Sequence, residues 1–96
     1  MEGSSLVDVT KFKEKTIELL VQNLTEDDKF HNLETVDIDA TVEDLKCILE
    51  IESLIPVDQQ AIFYKQSELK EDRKKLVDYG IGNNDMLQLT KNNNMI

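Results

Sequence analysis

The residue types that could carry out chemistry in this sequence are few, and they lie far apart. His31 is the only histidine and Cys47 the only cysteine, so the sequence holds no Cys/His cluster with metal-ligand spacing. His31 stands beside acidic residues in a predicted strand, and we expect it on the surface. Cys47 falls in the middle of a predicted helix, where we expect a buried or half-buried, unreactive thiol. Neither side chain is therefore assigned a catalytic role.

The short motifs of other common sites are also missing. The acid-rich stretch lacks the D-x-D-x-D-G spacing of a calcium loop, and three glycines are too few for a phosphate-binding loop. No Asp-Thr-Gly or Asp-Ser-Gly occurs, so the half-site of an aspartic protease is absent from these residues. We therefore predict a non-catalytic binding domain that needs no cofactor and no metal.

Length and charge limit the kind of partner. The 96 residues fit one small domain, and no apolar run reaches the roughly 20 residues of a membrane span. The net charge is −9, and residues 26–58 hold 11 acidic and two basic side chains. Such a surface repels nucleic acid and anionic lipid, so we predict neither as a partner; it either attracts basic partners or only keeps the domain soluble. With one cysteine and no signal peptide, the expected location is the cytoplasm, the nucleus or both.

The predicted fold is organised around one amphipathic helix. Thr41, with Asp44 three residues later, has the spacing of a capping box at a helix start. Pro56 bars continuation of the helix, which should end near Ser53. The apolar residues between these signals recur at helical spacing on one face: Val42, Leu45 and Leu49, with Ile48 beside them.

Four other segments are typical of strands, with alternating or β-prone residues: 16–24, 30–39, 60–65 and 86–90. In the second strand Phe30 agrees in parity with the inward Val36, but Leu33 does not, which indicates a bulge or an outward Leu33. The order of strand, strand, helix, strand, strand predicts an α+β roll. We expect residues 1–10 to be disordered, residues 11–91 to form the domain and residues 92–96 to be a flexible tail.

At the helix and beyond it, the sequence resembles ubiquitin. T-V-E-D-L-K from Thr41 matches the start of ubiquitin's helix, and I-P-V-D-Q-Q from Ile55 matches its helix-to-strand connection. L-V-D-Y-G-I from Leu76 matches the turn before the last strand. The resemblance covers residues 16–90. It implies the ubiquitin-like β-grasp fold, ββαββ, with a mixed sheet of four to five strands and one main helix.

The finer pattern is similar to one group of shuttle proteins. L-E-I-E-S-L-I-P from Leu49, together with Tyr64 and the spacing of Asp72, Leu76 and Tyr79, resembles the N-terminal ubiquitin-like domain of the DNA-damage-inducible shuttle family. In that family the domain precedes a retroviral-type aspartic protease domain, so the resemblance implies such a parent protein. The ubiquitin-like domains of the excision-repair shuttle and of the ubiquilins are the alternatives.

The resemblance also implies a binding site. Carried over by position, ubiquitin's apolar patch becomes Leu24, Phe63 and Thr90, with Ala61 and Gln88 at the rim. The implied partners of this monomeric domain are ubiquitin, whose own apolar patch has a basic rim, and proteasome subunits. Phe63 is the expected anchor, unless it is only an incidental surface aromatic. The alternative function is a scaffold domain that regulates an attached enzyme through contacts within its parent protein.

Two structural predictions and one exclusion complete the resemblance. Lys46 and Asp72 correspond to a pair that links helix and loop in ubiquitin, so a partly buried ion pair is implied. The Tyr79 hydroxyl should bond to loop backbone. After Thr90 the sequence reads K-N-N-N-M-I, without the Arg-Gly-Gly end that conjugation needs. The sequence as given therefore does not predict a conjugated modifier.

Overall fold

The computed structural model describes residues 15–92. Five strands and one α-helix make up the fold: β1 (Thr16–Asn23), β2 (Lys29–Asp37), α1 (Val42–Ser53), β3 (Gln60–Tyr64), β4 (Ser67–Glu68) and β5 (Asp85–Lys91). The sheet order is β2-β1-β5-β3-β4, with β1 and β5 parallel and the other pairs antiparallel. The predicted α+β β-grasp architecture is confirmed. The predictions of disorder for residues 1–10 and for most of the tail lie outside the described residues.

The helix begins and ends as its sequence predicts. Thr41 Oγ1 accepts a hydrogen bond from the Asp44 backbone N–H at 3.2 Å, and Asp44 Oδ2 accepts from the Thr41 N–H at 3.1 Å, which completes the capping box. After Ser53 the chain turns at Leu54, whose φ of 65° lies in the left-handed region. The predicted inner face is fully buried in the core: Val42, Leu45 and Leu49.

Cys47 is exposed, so the prediction of a buried or half-buried thiol is wrong. The residue lies about 200° around the helix from the buried Leu45. That rotation points its side chain away from the sheet. A position in the middle of a helix thus carries no information on burial unless the rotation about the helix axis is also considered.

The β1–β2 hairpin contains the predicted bulge, but the side chains around it point differently from expectation. Ile17 pairs with Val36 and Leu19 with Leu33, so two β2 residues stand opposite one β1 residue. Past the bulge the parity reverses, and Leu33 and His31 are buried while Phe30 is half exposed. Of the two alternatives, the bulge is correct and an outward Leu33 is not. Phe30 does not share the inward orientation that its parity with Val36 indicated, and the expectation of a surface His31 is wrong.

Two contacts implied by the resemblance are present. Lys46 Nζ lies 3.0 Å from Asp72 Oδ1, with the lysine side chain 12% exposed and the aspartate 49% exposed. The Tyr79 hydroxyl accepts a hydrogen bond from the Glu71 backbone N–H at 3.3 Å. The ion pair ties the connection between β4 and β5 to α1, whereas the tyrosine bond joins two parts of that connection to each other.

Candidate protein-interaction surface

The side of the sheet that faces away from α1 is a continuous surface. Along β1, β3 and β5 the residues that point toward the helix are buried, among them Val21, Ile62 and Leu87. Successive side chains of a strand point to opposite sides, so the residues between them point outward. These outward residues define the outer sheet face: Leu20, Gln22, Leu24, Phe30, Ala61, Phe63, Met86, Gln88 and Thr90.

The structure brings the five residues of the predicted site together. Phe63 pairs with Gln88, and Ala61 pairs with Thr90, across the antiparallel β3–β5 ladder. Leu24 joins them from the neighbouring strand, since its backbone N–H donates to the Leu89 carbonyl at 2.9 Å. Four of the five offer accessible side chains, but Ala61 is only 7% exposed. Ala61 therefore contributes little to a contact surface. A partner at this position would contact the residues around Ala61 instead.

Three apolar residues enlarge this surface beyond the predicted five. Met86 and Phe30 are close to half exposed, and Leu20 pairs with Met86 across the parallel β1–β5 ladder. Phe30 reaches the face because the bulge in β2 reverses its parity. The outward position of Leu20 was visible in the β1 alternation, whereas Phe30 required the position of the bulge.

A shallow pocket lies between Phe63 and Met86. Lys65, Gln66 and Gln88 complete its lining, and its volume is about 270 Å³. This volume lies at the lower end of the range of small-molecule sites, roughly 300–1,000 Å³. The pocket has room for one inserted side chain of a partner protein.

Leu24 is held in place by a buried polar network at the end of β1. Asn23 is buried, and its Oδ1 accepts hydrogen bonds from the Thr25 backbone N–H at 3.0 Å and from the Thr25 hydroxyl at 2.6 Å. Its Nδ2 lies 3.2 Å from His31 Nε2. Because the network fixes the residues on both sides of Leu24, it sets the exposed position of that side chain.

A wider groove also adjoins Phe63, and no serine, cysteine or histidine is among the described residues that line it. It has a volume of about 890 Å³ and charged walls that include Lys46, Asp58 and Asp72. Gln60 also lines it, with both amide hydrogens used on the Lys46 and Ile55 carbonyls and its buried Oε1 without a partner. Within residues 15–92 no three His, Cys, Asp or Glu side chains gather as a set that could hold a metal ion.

The geometry places the chain in a class. A mixed five-stranded sheet with parallel central strands and one helix across its inner face is the ubiquitin-like β-grasp. The chain belongs to the ubiquitin family, whose family model matches residues 19–94. Domains of this kind are generally non-catalytic and generally mediate protein–protein interactions. Among the described residues, no helix has the length and apolar character to cross a membrane.

The chain is similar to a characterised protein and to a solved structure. The chain is 36% identical over 61 residues to the Arabidopsis thaliana protein DNA-damage inducible 1, an alignment that covers 62% of this chain and 14% of that protein. The chain thus spans only a small part of the length of this relative. It also resembles the solution NMR structure of the ubiquitin-like domain of another Arabidopsis thaliana protein, with a TM-score of 0.70 and 25% identity over 78% of this chain and 76% of the other.

Proposed function

We propose that this domain is the non-catalytic interaction module of a proteasome-shuttle protein, and that it binds ubiquitin, proteasome subunits or both through the outer sheet face. The observation that carries the proposal is the cluster of accessible apolar side chains on that face, with Phe63 beside a pocket and Leu24 held at its edge. Isolated exposed apolar residues are ordinary, but a contiguous group is typical of a protein-binding site.

The negative charge of the domain favours a partner with a basic surface, such as ubiquitin, over an acidic partner. The net charge is −9, and ubiquitin's own apolar patch is rimmed by basic residues. Complementary charge raises the association rate and penalises wrong partners. Apolar contact on the outer sheet face would then supply most of the affinity, and complementary charge would raise the association rate.

The parent protein belongs to the same proposal. The similarity to DNA-damage inducible 1 covers only the ubiquitin-like region, and it supports a longer protein of that type that carries a retroviral-type aspartic protease domain. The domain itself would act as a monomer in the cytoplasm, the nucleus or both. Its role would be to bring bound ubiquitin or the proteasome to the parent protein's other domains.

Calorimetric titration of the domain with ubiquitin and with a purified ubiquitin-binding proteasome subunit tests this function. Phe63→Ser and Leu24→Ser should each weaken binding by about tenfold or more, as expected of anchors worth ~1.4 kcal/mol or more. Val77→Ser is the matched control, because Val77 is an exposed aliphatic residue outside the outer sheet face. Equal effects of all three substitutions, or no binding by the unaltered domain, would rule out the proposal.

The second candidate function is a scaffold domain that contacts its own parent protein. The same apolar surface would then be covered within that protein, and free ubiquitin would not compete for it. Titration of ubiquitin into the isolated domain and, separately, into the full-length parent protein distinguishes the two functions. Ubiquitin binding by the domain that is lost in the parent protein would favour the scaffold role.

A further inference from the structure

A second apolar surface lies on the opposite side of the molecule, on the solvent side of α1. Cys47, Ile51 and Leu54 recur at positions i, i+4 and i+7 and are all exposed, so they form one stripe along the helix and its end. Ile51 is 78% and Leu54 83% exposed, the two highest values among the large hydrophobic residues of the described chain. We call this stripe the outer helix face.

The end of the helix combines two features that lower its local stability. Leu54 adopts a left-handed φ of 65°, where a glycine or asparagine is usual. The last turn holds Glu50 and Glu52 and no basic residue, although a helix C-terminus favours cations. Departures from local rules that gather at one exposed place are typical of surfaces under selection for binding.

The exposed charged residues that α1 itself places beside the outer helix face are all acidic. Glu43, Asp44 and Glu50 flank the stripe and are exposed. The only basic residue of α1 is Lys46, and its ammonium is withdrawn to Asp72 with 12% of the side chain exposed. The surface therefore offers apolar side chains flanked by carboxylates of the same helix, with the negative end of the helix dipole at Leu54.

We propose that the outer helix face docks a basic segment of a partner protein that carries large apolar side chains. The apolar side chains would cover Ile51 and Leu54, and the lysine or arginine side chains would meet Glu50 and the carbonyl groups at the helix end. A second copy of the domain would bring acids against acids, and nucleic acid or an anionic membrane would be repelled for the same reason.

This docking site is separate from the site proposed above. Because α1 covers the inner side of the sheet, the outer helix face and the outer sheet face point in opposite directions. Both can be occupied at once, so the domain would connect two partners rather than choose between them. Binding on the helix side does not depend on whether ubiquitin binds the sheet side.

The test is an NMR titration of the labelled domain with a synthetic Leu/Lys peptide whose leucines recur at helical spacing. A peptide of equal charge with serine in place of leucine is the control for simple charge attraction. The Leu/Lys peptide should shift the amides of Cys47, Ile51 and Leu54, and Ile51→Ser combined with Leu54→Asn should weaken its binding by about tenfold or more. Leu54→Asn also suits the left-handed backbone, so the fold should persist.

Two comparisons make the result decisive. Phe63→Ser, on the outer sheet face, should leave binding of this peptide unchanged. The proposal is overturned if the serine peptide binds equally well, if the shifts fall on the outer sheet face, or if the unaltered domain binds neither peptide. It is also overturned if the double variant, shown to be folded by its amide spectrum, binds as tightly as the unaltered domain.

Discussion

Asn23 and His31 face each other inside the β1–β2 hairpin, with Asn23 Nδ2 3.2 Å from His31 Nε2. Asn23 Oδ1 already accepts two hydrogen bonds from Thr25, so the amide group is the donor toward the imidazole. In this contact His31 Nε2 is the acceptor, which selects the imidazole tautomer with its hydrogen on Nδ1. This pair supports the turn that presents Leu24 on the outer sheet face.

Asn23→Ala should destabilise the domain by about 1–3 kcal/mol, because it leaves a buried imidazole nitrogen and two Thr25 donors without their partner. Asn32→Ala is the matched control on β2, where the asparagine is exposed and the change should stay within about 0.5 kcal/mol. Urea unfolding of both variants measures the difference. Equal free energies of unfolding would show that the network contributes nothing to stability.

Removal of Lys46 and removal of Asp72 from their ion pair should lower the stability of the domain by different amounts. Asp72→Ala leaves an ammonium group on a side chain that is only 12% exposed, which should cost about 1–3 kcal/mol. Lys46→Met leaves the half-exposed Asp72 carboxylate to water and keeps the buried methylene stem, so its cost should be at most about 1 kcal/mol. Chemical denaturation of the two variants gives the order. A larger loss for Lys46→Met would contradict the burial of the lysine.

Leu54→Gly should stabilise the domain by about 1 kcal/mol, since glycine adopts the left-handed conformation without the cost of a Cβ. Little packing is lost, because the Leu54 side chain is largely in solvent. Leu54→Ala is the control, because it removes the same apolar side chain but keeps the Cβ. Thermal unfolding should show a raised midpoint for the glycine variant only.

The turn between β3 and β4 also contains residues whose replacement should stabilise the domain. Lys65 and Gln66 have φ values of 51° and 73°, and they join the paired residues Tyr64 and Ser67. A two-residue hairpin turn with both φ values positive favours Asn-Gly. Lys65→Asn with Gln66→Gly should therefore stabilise the domain by about 1 kcal/mol in urea unfolding, whereas the corresponding double alanine variant should not.

The helix and two of the strands could be predicted from the sequence because their signals are local. The capping box at Thr41 and the apolar period that follows it fix the start and the buried face of α1. The apolar residues at every second position fix the inner faces of β1 and β5, including Val21 and Leu87. In these segments one periodic pattern is enough to decide both the element and its orientation.

The orientations in β2 could not be predicted because they depend on a bulge. One extra residue between Leu33 and Val36 reverses the parity of everything before it. His31 and Phe30 consequently exchange the positions that simple alternation assigns to them. A pattern of apolar residues indicates that a bulge exists, but the pairing with β1 decides where it lies.

The candidate site was predicted only in part, and the bulge accounts only for the omission of Phe30. The five residues carried over by resemblance do come together, but the surface also includes Met86 and Phe30, and Ala61 is buried within it. The outer helix face was not predicted at all. The periodicity of α1 identifies its buried side, whereas the significance of Ile51 and Leu54 depends on how fully the fold leaves them exposed.

The most direct test of the central claim is an NMR titration of the labelled domain with unlabelled ubiquitin at low and moderate salt. The outer sheet face predicts shifts that cluster at Leu24, Phe63 and Gln88, extend to Met86, and persist at moderate salt because apolar contact carries the affinity. Shifts confined to residues 34–44 that fade with salt would contradict a sheet-face site. The absence of shifts in both conditions would contradict direct binding of ubiquitin.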